Sequence, residues 1–343
     1  MKSRIAKNSG YEIDTACIAA HYQPAILIEL ALSRDIDSRQ LLRSTRMRLE
    51  DFESADTLIS PDQYLTLIAN SNKLLDANDT SFLYGQRLLP GFFGAASQAL
   101  QQVTNCRQAI EILCEFHAIL SPLQTPRTYE DDEFYFIYWE ASCSNKEQRF
   151  TIESSMTAVI SMVSWLSKEK IPWQCEFNYD KPDYIEQYWV NLGQDLVFNQ
   201  QMNRMRLPKS WLDKTWPNAA PLSINGTLID SQKQLKQRPS NKSFLDNIYD
   251  YIHSNINQPL NLDKLSLEFG LSPASMKRKL KKHNTSFQQQ IDLVRKNTAI
   301  YLYQIEHLNN QKIAEYLCFN DMNNFRRAFK RWTGTSPYIL FAQ

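Results

Sequence analysis

The chain has 343 residues, of which 43% are hydrophobic, and a formal net charge of +1 at pH 7. This length favours two domains, and the hydrophobic content can fill a sizeable core. The small net charge argues against a uniformly basic protein, but it averages two unequal parts. From residue 240 onward there are 14 Lys and Arg against 8 Asp and Glu, whereas the preceding residues carry 24 against 29. This asymmetry indicates an anion-seeking module joined to a mildly acidic one.

Targeting and metal-binding signals are weak throughout the sequence. No window approaches the run of about 18 apolar residues needed to cross a bilayer, and residues 1–20 lack the apolar core of a signal peptide. The six cysteines form no CxxC pair, and none lies beside a histidine at ligand spacing. Free thiols in a reducing compartment are therefore expected. We expect a cytoplasmic protein without membrane association, metal or other cofactor.

The N-terminal region mixes predicted helices and strands. Ser60 is a predicted N-cap with Gln63 completing a capping box, and a second helix is predicted from Thr104 to Ile119. Further predicted elements are a hairpin at 129–141, a helix at 150–169, a strand at 174–179 and a short helix at 182–189. Because these elements do not alternate as βαβ units, we expect an α+β domain over residues 1–235.

Residues 228–243 are polar, end in Pro and Ser and lack an apolar period, which predicts an interdomain linker. The sequence beyond it is almost wholly helical, and we place an all-α domain at residues 240–343. Its predicted helices cover 243–255, 262–269, a segment that begins at Ser272, 285–306, 312–317 and 321–332.

Two segments of this second domain match a helix–turn–helix, which needs a short helix, a tight turn and a second helix capped at its start. The predicted turns lie at Gly270 and at Cys318–Phe319, about fifty residues apart. Core positions on the two second helices are Met276 and Leu280, then Phe325, Ala328, Phe329 and Trp332. Outward positions are Lys277, Arg278, Lys281 and Lys282, then Asn323, Asn324, Arg327, Lys330 and Arg331. Such cations neutralise phosphates, and Asn and Arg side chains read base edges.

The helix predicted between the two motifs has the length that DNA would require. Its 22 residues, 285–306, would span about 33 Å. Successive major grooves on one face of B-DNA lie about 34 Å apart. The spacing therefore predicts that two recognition helices enter successive grooves of duplex DNA.

The last hundred residues resemble the double helix–turn–helix domain of AraC/XylS-type bacterial transcription regulators. The resemblance rests on "LEFGLSPASMKRKLKKHNTSFQQQIDLVRKNTAIYL" and on "IAEYLCFNDMNNFRRAFKRWTGTSP". It implies DNA contacts at Ala274, Ser275, Lys277 and Arg278 in the first motif and at Met322, Asn323, Asn324 and Arg327 in the second. This sequence departs from the family at Cys318, where Gly is usual, and at Ala274, which is too short to reach far into a groove.

The region from His21 to Leu222 resembles the arabinose-binding-like effector domain of the ornithine-utilisation regulator type. The residues that carry this likeness are "SPDQYLTLI", "GQRLLPGFFGAASQALQQVTNCRQAIEIL" and "LGQDLVFNQQMNRMRLPKSWLD". The resemblance implies a small-molecule effector, whose identity it leaves open, and a homodimer. Aromatic residues that could line an apolar effector pocket, or equally belong to the core, are Phe92, Phe93, Tyr135, Trp139 and Trp165.

Catalytic signals are missing from the sequence. It contains no GxSxG elbow, no P-loop and no HExxH, and its five histidines are isolated from one another. The leading hypothesis is a ligand-responsive activator that binds double-stranded promoter DNA and contacts RNA polymerase. The alternatives are a constitutive DNA-binding or architectural protein and an enzyme with a helical accessory domain.

Overall fold

The computed structural model describes residues 10–144 and 146–338. The chain divides into two units: one is Tyr11–Asn241, and the other contains the described residues from Lys242 onward together with Gly10. The first unit mixes helices with two β-sheets and the second is helical, so the predicted fold class is confirmed. The expectation that residues 1–20 are not a signal peptide falls partly on residues 1–9, which lie outside the described residues.

The first unit begins with short strands and a group of helices. These elements are β1 (Ile18–Ala19), α1 (Gln23–Leu32), α2 (Ser38–Leu41), a 3₁₀ helix (Leu49–Phe52), β2 (Leu58–Ile59), α3 (Pro61–Leu75), α4 (Thr80–Leu88), α5 (Ala95–Gln101), α6 (Cys106–Glu115) and α7 (His117–Leu120). The elements that follow are β3 (Gln124–Glu130), β4 (Phe134–Ala141), α8 (Gln148–Ser167), β5 (Gln174–Glu176), α9 (Ile185–Leu192), β6 (Leu196–Val197), β7 (Arg204–Pro208), a second 3₁₀ helix (Lys209–Trp211) and α10 (Ile224–Lys236).

The larger sheet of the first unit has the strand order β3-β4-β7-β5-β6, and only the β5–β6 pair is parallel. The predicted hairpin forms as β3 and β4, with Thr128 opposite Ile137. Alternate residues of β4, namely Tyr135, Ile137 and Trp139, are buried in a hydrophobic core. This face of the sheet therefore supports the helices of the unit.

Two hydrophobic clusters stabilise the first unit. The sheet cluster contains Ile137 and Met205 together with apolar residues of α5 to α10. The N-terminal cluster contains Leu27, Tyr64 and apolar residues of α1, α2 and α3. Helices α4 and α8 contribute to both, since Phe82 and Ile152 belong to the sheet cluster while Tyr84 and Phe150 belong to the N-terminal cluster. These two helices therefore join the two clusters.

The predicted cap of α3 is confirmed, but the helix predicted from Thr104 to Ile119 is divided. Ser60 Oγ accepts from Gln63 N at 3.3 Å, and Gln63 Oε1 accepts from Ser60 N at 2.9 Å. The divided helix starts only after Asn105, whose side chain accepts from Gln108 N at 3.0 Å. It is interrupted at Phe116, where φ is −103° and ψ is 21°.

The linker prediction for residues 228–243 was wrong over most of its length, because α10 extends to Lys236. Ile224, Leu228 and Leu235 pack in or against the sheet cluster. Gln234 Nε2 also donates to Phe93 O at 2.8 Å, which ties the helix to the segment before α5. The charged residues Asp230, Lys233 and Lys236 lie on the exposed face of this helix.

The second unit contains α11 (Phe244–Ser254), α12 (Leu262–Glu268), α13 (Pro273–Lys282), α14 (Phe287–Gln304), α15 (Asn310–Tyr316) and α16 (Met322–Thr333). Each of these helices has a Ser, Asn or Asp N-cap whose side chain accepts from a backbone N–H three residues later. The helix between the two motifs, α14, has 18 residues and spans about 27 Å. It is shorter than predicted because Ser286 caps it and it ends at Gln304.

Candidate nucleic-acid interface

The pairs α12–α13 and α15–α16 share the same backbone geometry where the first helix ends. In the first pair, the N–H groups of Gly270 and Leu271 donate to carbonyls of α12 at 3.0 and 2.8 Å. In the second, those of Cys318 and Phe319 donate to carbonyls of α15 at 3.1 and 2.9 Å. Gly270 has φ of 63° and Cys318 has φ of 56°, so both occupy the left-handed region. The sequence repeat is therefore a structural repeat of two helix–turn–helix motifs.

The two motifs differ in the length of the turn. The first helices begin at equivalent caps, since Asn261 Oδ1 accepts from Lys264 N at 2.9 Å and Asn309 Oδ1 accepts from Lys312 N at 3.0 Å. The second helices begin after Ser272 and Asp321, which lie two residues after Gly270 and three residues after Cys318. The second turn is therefore one residue longer.

Helix α13 is amphipathic and strongly basic on its outer face. Met276 and Leu280 are buried, as predicted. The outer positions Ala274, Lys277, Arg278, Lys281 and Lys282 are exposed, whereas Ser275 is half-buried. The helix itself contains no Asp or Glu, so its outer face is rich in positive charge of the kind that attracts phosphates.

Helix α16 has the predicted buried stripe with one qualification. Phe325, Ala328 and Phe329 are buried, but Trp332 is only half-buried. Of the candidate DNA-contacting residues on this helix, Asn323, Arg327 and Lys330 are exposed, and Met322 and Asn324 are half-buried.

A row of hydrogen-bonded side chains runs along α16. The cap residue Asp321 accepts from Asn324 through both carboxylate oxygens, from the backbone N at 2.7 Å and from Nδ2 at 2.6 Å. Asn324 Oδ1 in turn accepts from Arg327 Nη2 at 2.6 Å. The spacing of three residues places this row on one face of the helix. These hydrogen bonds orient the Arg327 guanidinium. The sequence did not predict that the cap residue Asp321 takes part by holding Asn324.

The cation Arg331, which the sequence pattern left available, is instead engaged with α14. Its Nη2 donates to Asp292 Oδ2 at 3.0 Å. Nearby, the guanidinium of Arg295 lies 4.8 Å from the centroid of the Phe319 ring, and burial lowers the pKa of Arg295. These contacts join α14 to the second motif through residues far apart in sequence.

The candidate effector residues do not form one group. Phe92 is 91% exposed and Trp165 is 51% exposed, whereas Phe93 and Tyr135 are buried. Trp139 lines a cavity of about 40 Å³. The same cavity is lined by Gln23 of α1 and Gln124 of β3, which sequence reasoning missed because no local pattern marks them.

Comparison with known proteins identifies both units. A family model described as the N-terminal arabinose-binding domain of AraC transcription regulators matches residues 36–216, which is more than half of the chain. The chain belongs to the AraC family. A second model, described as a helix-turn-helix domain, matches residues 265–342. These residues begin within α12 and continue beyond α16, so they include most of the first helix–turn–helix motif and all of the second.

Curated relatives support the same assignment. The chain is 23% identical over 313 residues to the ornithine utilization regulator of Pseudomonas aeruginosa, covering 91% of this chain and 92% of that protein. It is 30% identical over 133 residues to the HTH-type transcriptional regulator AdiY of Escherichia coli, covering 38% of this chain and 53% of that protein. The crystal structure of the transcriptional regulator CdpR from Pseudomonas aeruginosa aligns with 93% of this chain and 97% of that chain, at 14% identity and a TM-score of 0.44.

The AraC-family protein is a sequence-specific DNA-binding transcription regulator with an N-terminal ligand-binding domain. Its partners are accordingly DNA and a small-molecule effector. Within residues 10–144 and 146–338, no helix is long and apolar enough to span a membrane.

Proposed function

We propose that the protein is a ligand-responsive activator that inserts α13 and α16 into successive major grooves of promoter DNA. Residues 240–343 form the DNA-binding domain, and residues 1–235 bind the effector and dimerise. The proposed DNA contacts are Ala274, Ser275, Lys277, Arg278, Lys281, Met322, Asn323, Asn324, Arg327 and Lys330. The repeated helix–turn–helix pattern supports this proposal, because in each motif a capped second helix follows a short first helix.

The observation that carries the proposal is the row Asp321, Asn324 and Arg327 on α16. An exposed guanidinium held by a neighbouring amide loses less conformational freedom on contact with a base. Arginine pairs with the O6 and N7 acceptors of guanine in the major groove. We therefore assign base reading to Arg327 and phosphate contact to the cations of α13.

The test compares Arg327→Ala with Arg326→Ala. Both residues are exposed cations on α16, but adjacent positions point about 100° apart around a helix. On a duplex selected from a random pool, Arg327→Ala should weaken binding by about 1–3 kcal/mol and leave binding to unrelated duplexes nearly unchanged. Arg326→Ala should affect both duplexes weakly and equally. Equal losses on selected and unrelated DNA for Arg327→Ala would make it a phosphate contact.

The proposed activator acts in the cytoplasm, as a homodimer, by recruiting RNA polymerase, and it has no catalytic activity. Family membership supports regulation rather than turnover. Sedimentation of the full chain tests the dimer. Transcription from a promoter containing the selected duplex, with and without the protein, tests activation, and reduced transcription would make the protein a repressor.

A further inference from the structure

A cavity lies between the two hydrophobic clusters of the first unit. Leu113 and Trp139 line it from the sheet cluster, and Tyr64, Ile68 and Phe150 line it from the N-terminal cluster. Its volume is about 40 Å³, which is room for roughly one to three water-sized groups. Ligand pockets commonly occur where separately packed parts of a protein meet.

The lining of this cavity has no ionisable carboxylate, ammonium, guanidinium or imidazole group. Most of its polar side chains already have partners. Gln124 Nε2 donates to Thr151 Oγ1 at 2.7 Å, and the Tyr64 and Tyr84 hydroxyls are hydrogen-bonded to each other. A buried charge without a partner is strongly unfavourable, so this site disfavours a charged ligand.

One acceptor at the cavity is unsatisfied. The Gln23 side chain is almost completely buried, with 2% of the residue exposed. Its Nε2 donates to Ile119 O at 2.6 Å, but its Oε1 has no hydrogen-bond partner. Buried polar atoms are nearly always paired, and a donor supplied by a ligand would satisfy this one.

We propose that this cavity binds an uncharged, mainly apolar small molecule carrying one hydroxyl or N–H donor for Gln23 Oε1. The inference rests on the proposed ligand-responsive function and names the chemical class of the effector. It separates this protein from a sensor of amino acids, whose ammonium and carboxylate groups would find no opposite charge in the lining. Trp139 is the one candidate effector residue that this site uses.

The position of the cavity also explains how a ligand would be sensed. A ligand larger than a few water-sized groups must move lining residues of the two clusters apart. Since α4 and α8 belong to both clusters, the displacement involves the helices that join them. Binding would therefore favour one arrangement of the unit over another, which is the requirement for a population shift.

The experiment titrates the full chain with phenol, toluene, benzoate and ornithine and follows the melting midpoint. Phenol has the ring and the donor, toluene lacks the donor, and benzoate and ornithine are charged. We expect a saturable rise with phenol, a dissociation constant about tenfold weaker for toluene, and no rise with the other two. A rise with benzoate or ornithine alone, or with none of the four, overturns the proposal.

Two variants locate the site. Gln23→Met removes the acceptor and keeps an apolar side chain of similar length, so phenol should bind it no more tightly than toluene. Ala158→Val adds volume at a lining position and should abolish binding of both. Phenol binding that survives Ala158→Val unchanged places the ligand elsewhere and overturns the proposal. If the cavity holds only water, none of the probes should bind. The melting midpoint should then rise only through the Ala158→Val substitution itself.

Affinity for the selected duplex separates this inference from the proposed function. Probe binding at the cavity without any change in DNA affinity would leave the site standing and contradict ligand response through it. Another metabolite could change the DNA affinity of the wild type and of Ala158→Val equally. That result would support ligand response but overturn the assignment of the effector to this cavity.

Discussion

Cys318 occupies a backbone conformation that suits glycine. Its φ of 56° lies in the left-handed region, which costs L-residues about 1–2 kcal/mol. Glycine removes this cost. It also gives the unfolded chain more conformational freedom, which destabilises the folded state by roughly 0.4–1 kcal/mol. We expect Cys318→Gly to stabilise the second unit by about 0.5–1 kcal/mol, measured by urea unfolding of the full chain.

Gly270 is the matched control, since its φ is 63° in the equivalent turn. Gly270→Ala should destabilise the same unit by roughly 1 kcal/mol, because alanine meets the penalty that glycine avoids. A destabilising Cys318→Gly would mean that packing of the thiol outweighs the backbone term.

Glu153 is a buried carboxyl whose titration affects stability. Its oxygens accept from Ser81 Oγ at 2.5 Å and from the hydroxyls of Tyr184 and Tyr188, and Arg149 Nε lies 3.7 Å away. Burial raises the pKa of Glu153 above its ordinary value of 4.5, against the opposing effect of these donors. Because the pKa of Glu153 is higher in the folded than in the unfolded state, its contribution to the free energy of unfolding is greatest below pH 4.5. This contribution declines as the pH rises through the folded-state pKa.

Glu153→Gln removes this dependence. The melting midpoint of the variant, relative to wild type, should therefore increase from pH 4.5 towards pH 7.5. Thermal melts of both proteins at several pH values measure the difference, in which other titrating groups cancel. A difference that stays constant over this range would show that Glu153 is charged equally in both states.

At the scale of elements, α4 and α8 approach closely at Gly85. A Cβ at this position would lie 2.6 Å from Ser154 O and 2.8 Å from Thr157 Cβ. Because a backbone carbonyl cannot easily move, Gly85→Ala should destabilise the first unit by about 1–3 kcal/mol despite the better helix propensity of alanine. Denaturant unfolding of the full chain measures this change.

Gly226 on α10 provides the contrast, since within the described residues nothing beyond its own turn of helix lies within 4 Å of an added Cβ. Gly226→Ala should stabilise the protein by up to about 1 kcal/mol through helix propensity alone. Similar effects of the two substitutions would show that the approach of α4 and α8 relaxes readily.

Local signals predicted the second unit better than the first. Each helix from α11 to α16 has a capping side chain that precedes it directly, so its start is visible in the sequence. Helix α10 was missed because its packed residues Ile224, Leu228 and Leu235 are too few to produce an evident apolar period. The cavity was missed for another reason: Gln23 and Gln124 are distant in sequence and meet only through tertiary packing.

At the scale of the whole molecule, the excess of positive charge lies in the second unit. Because cations that contact phosphates release counterions from DNA, the affinity for DNA should decrease steeply as the salt concentration rises. Lys281→Ala should weaken binding to all duplexes and reduce the logarithmic salt slope by about one. Lys233→Ala is the control, since it removes an exposed cation of the first unit that pairs with Asp230 at 2.8 Å. Fluorescence anisotropy at several salt concentrations measures both slopes, and an unchanged slope for Lys281→Ala would exclude its phosphate contact.

The additional residue in the second turn has a consequence for the DNA site. The motifs differ in turn length and in the side chains they expose, so one chain carries two different DNA-binding motifs in a fixed order. A palindromic site matches two identical motifs related by a twofold axis. One chain of this protein instead matches an asymmetric site. Exchanging the two half-sites while keeping their spacing should therefore abolish recognition by a single chain, even though every base pair is retained.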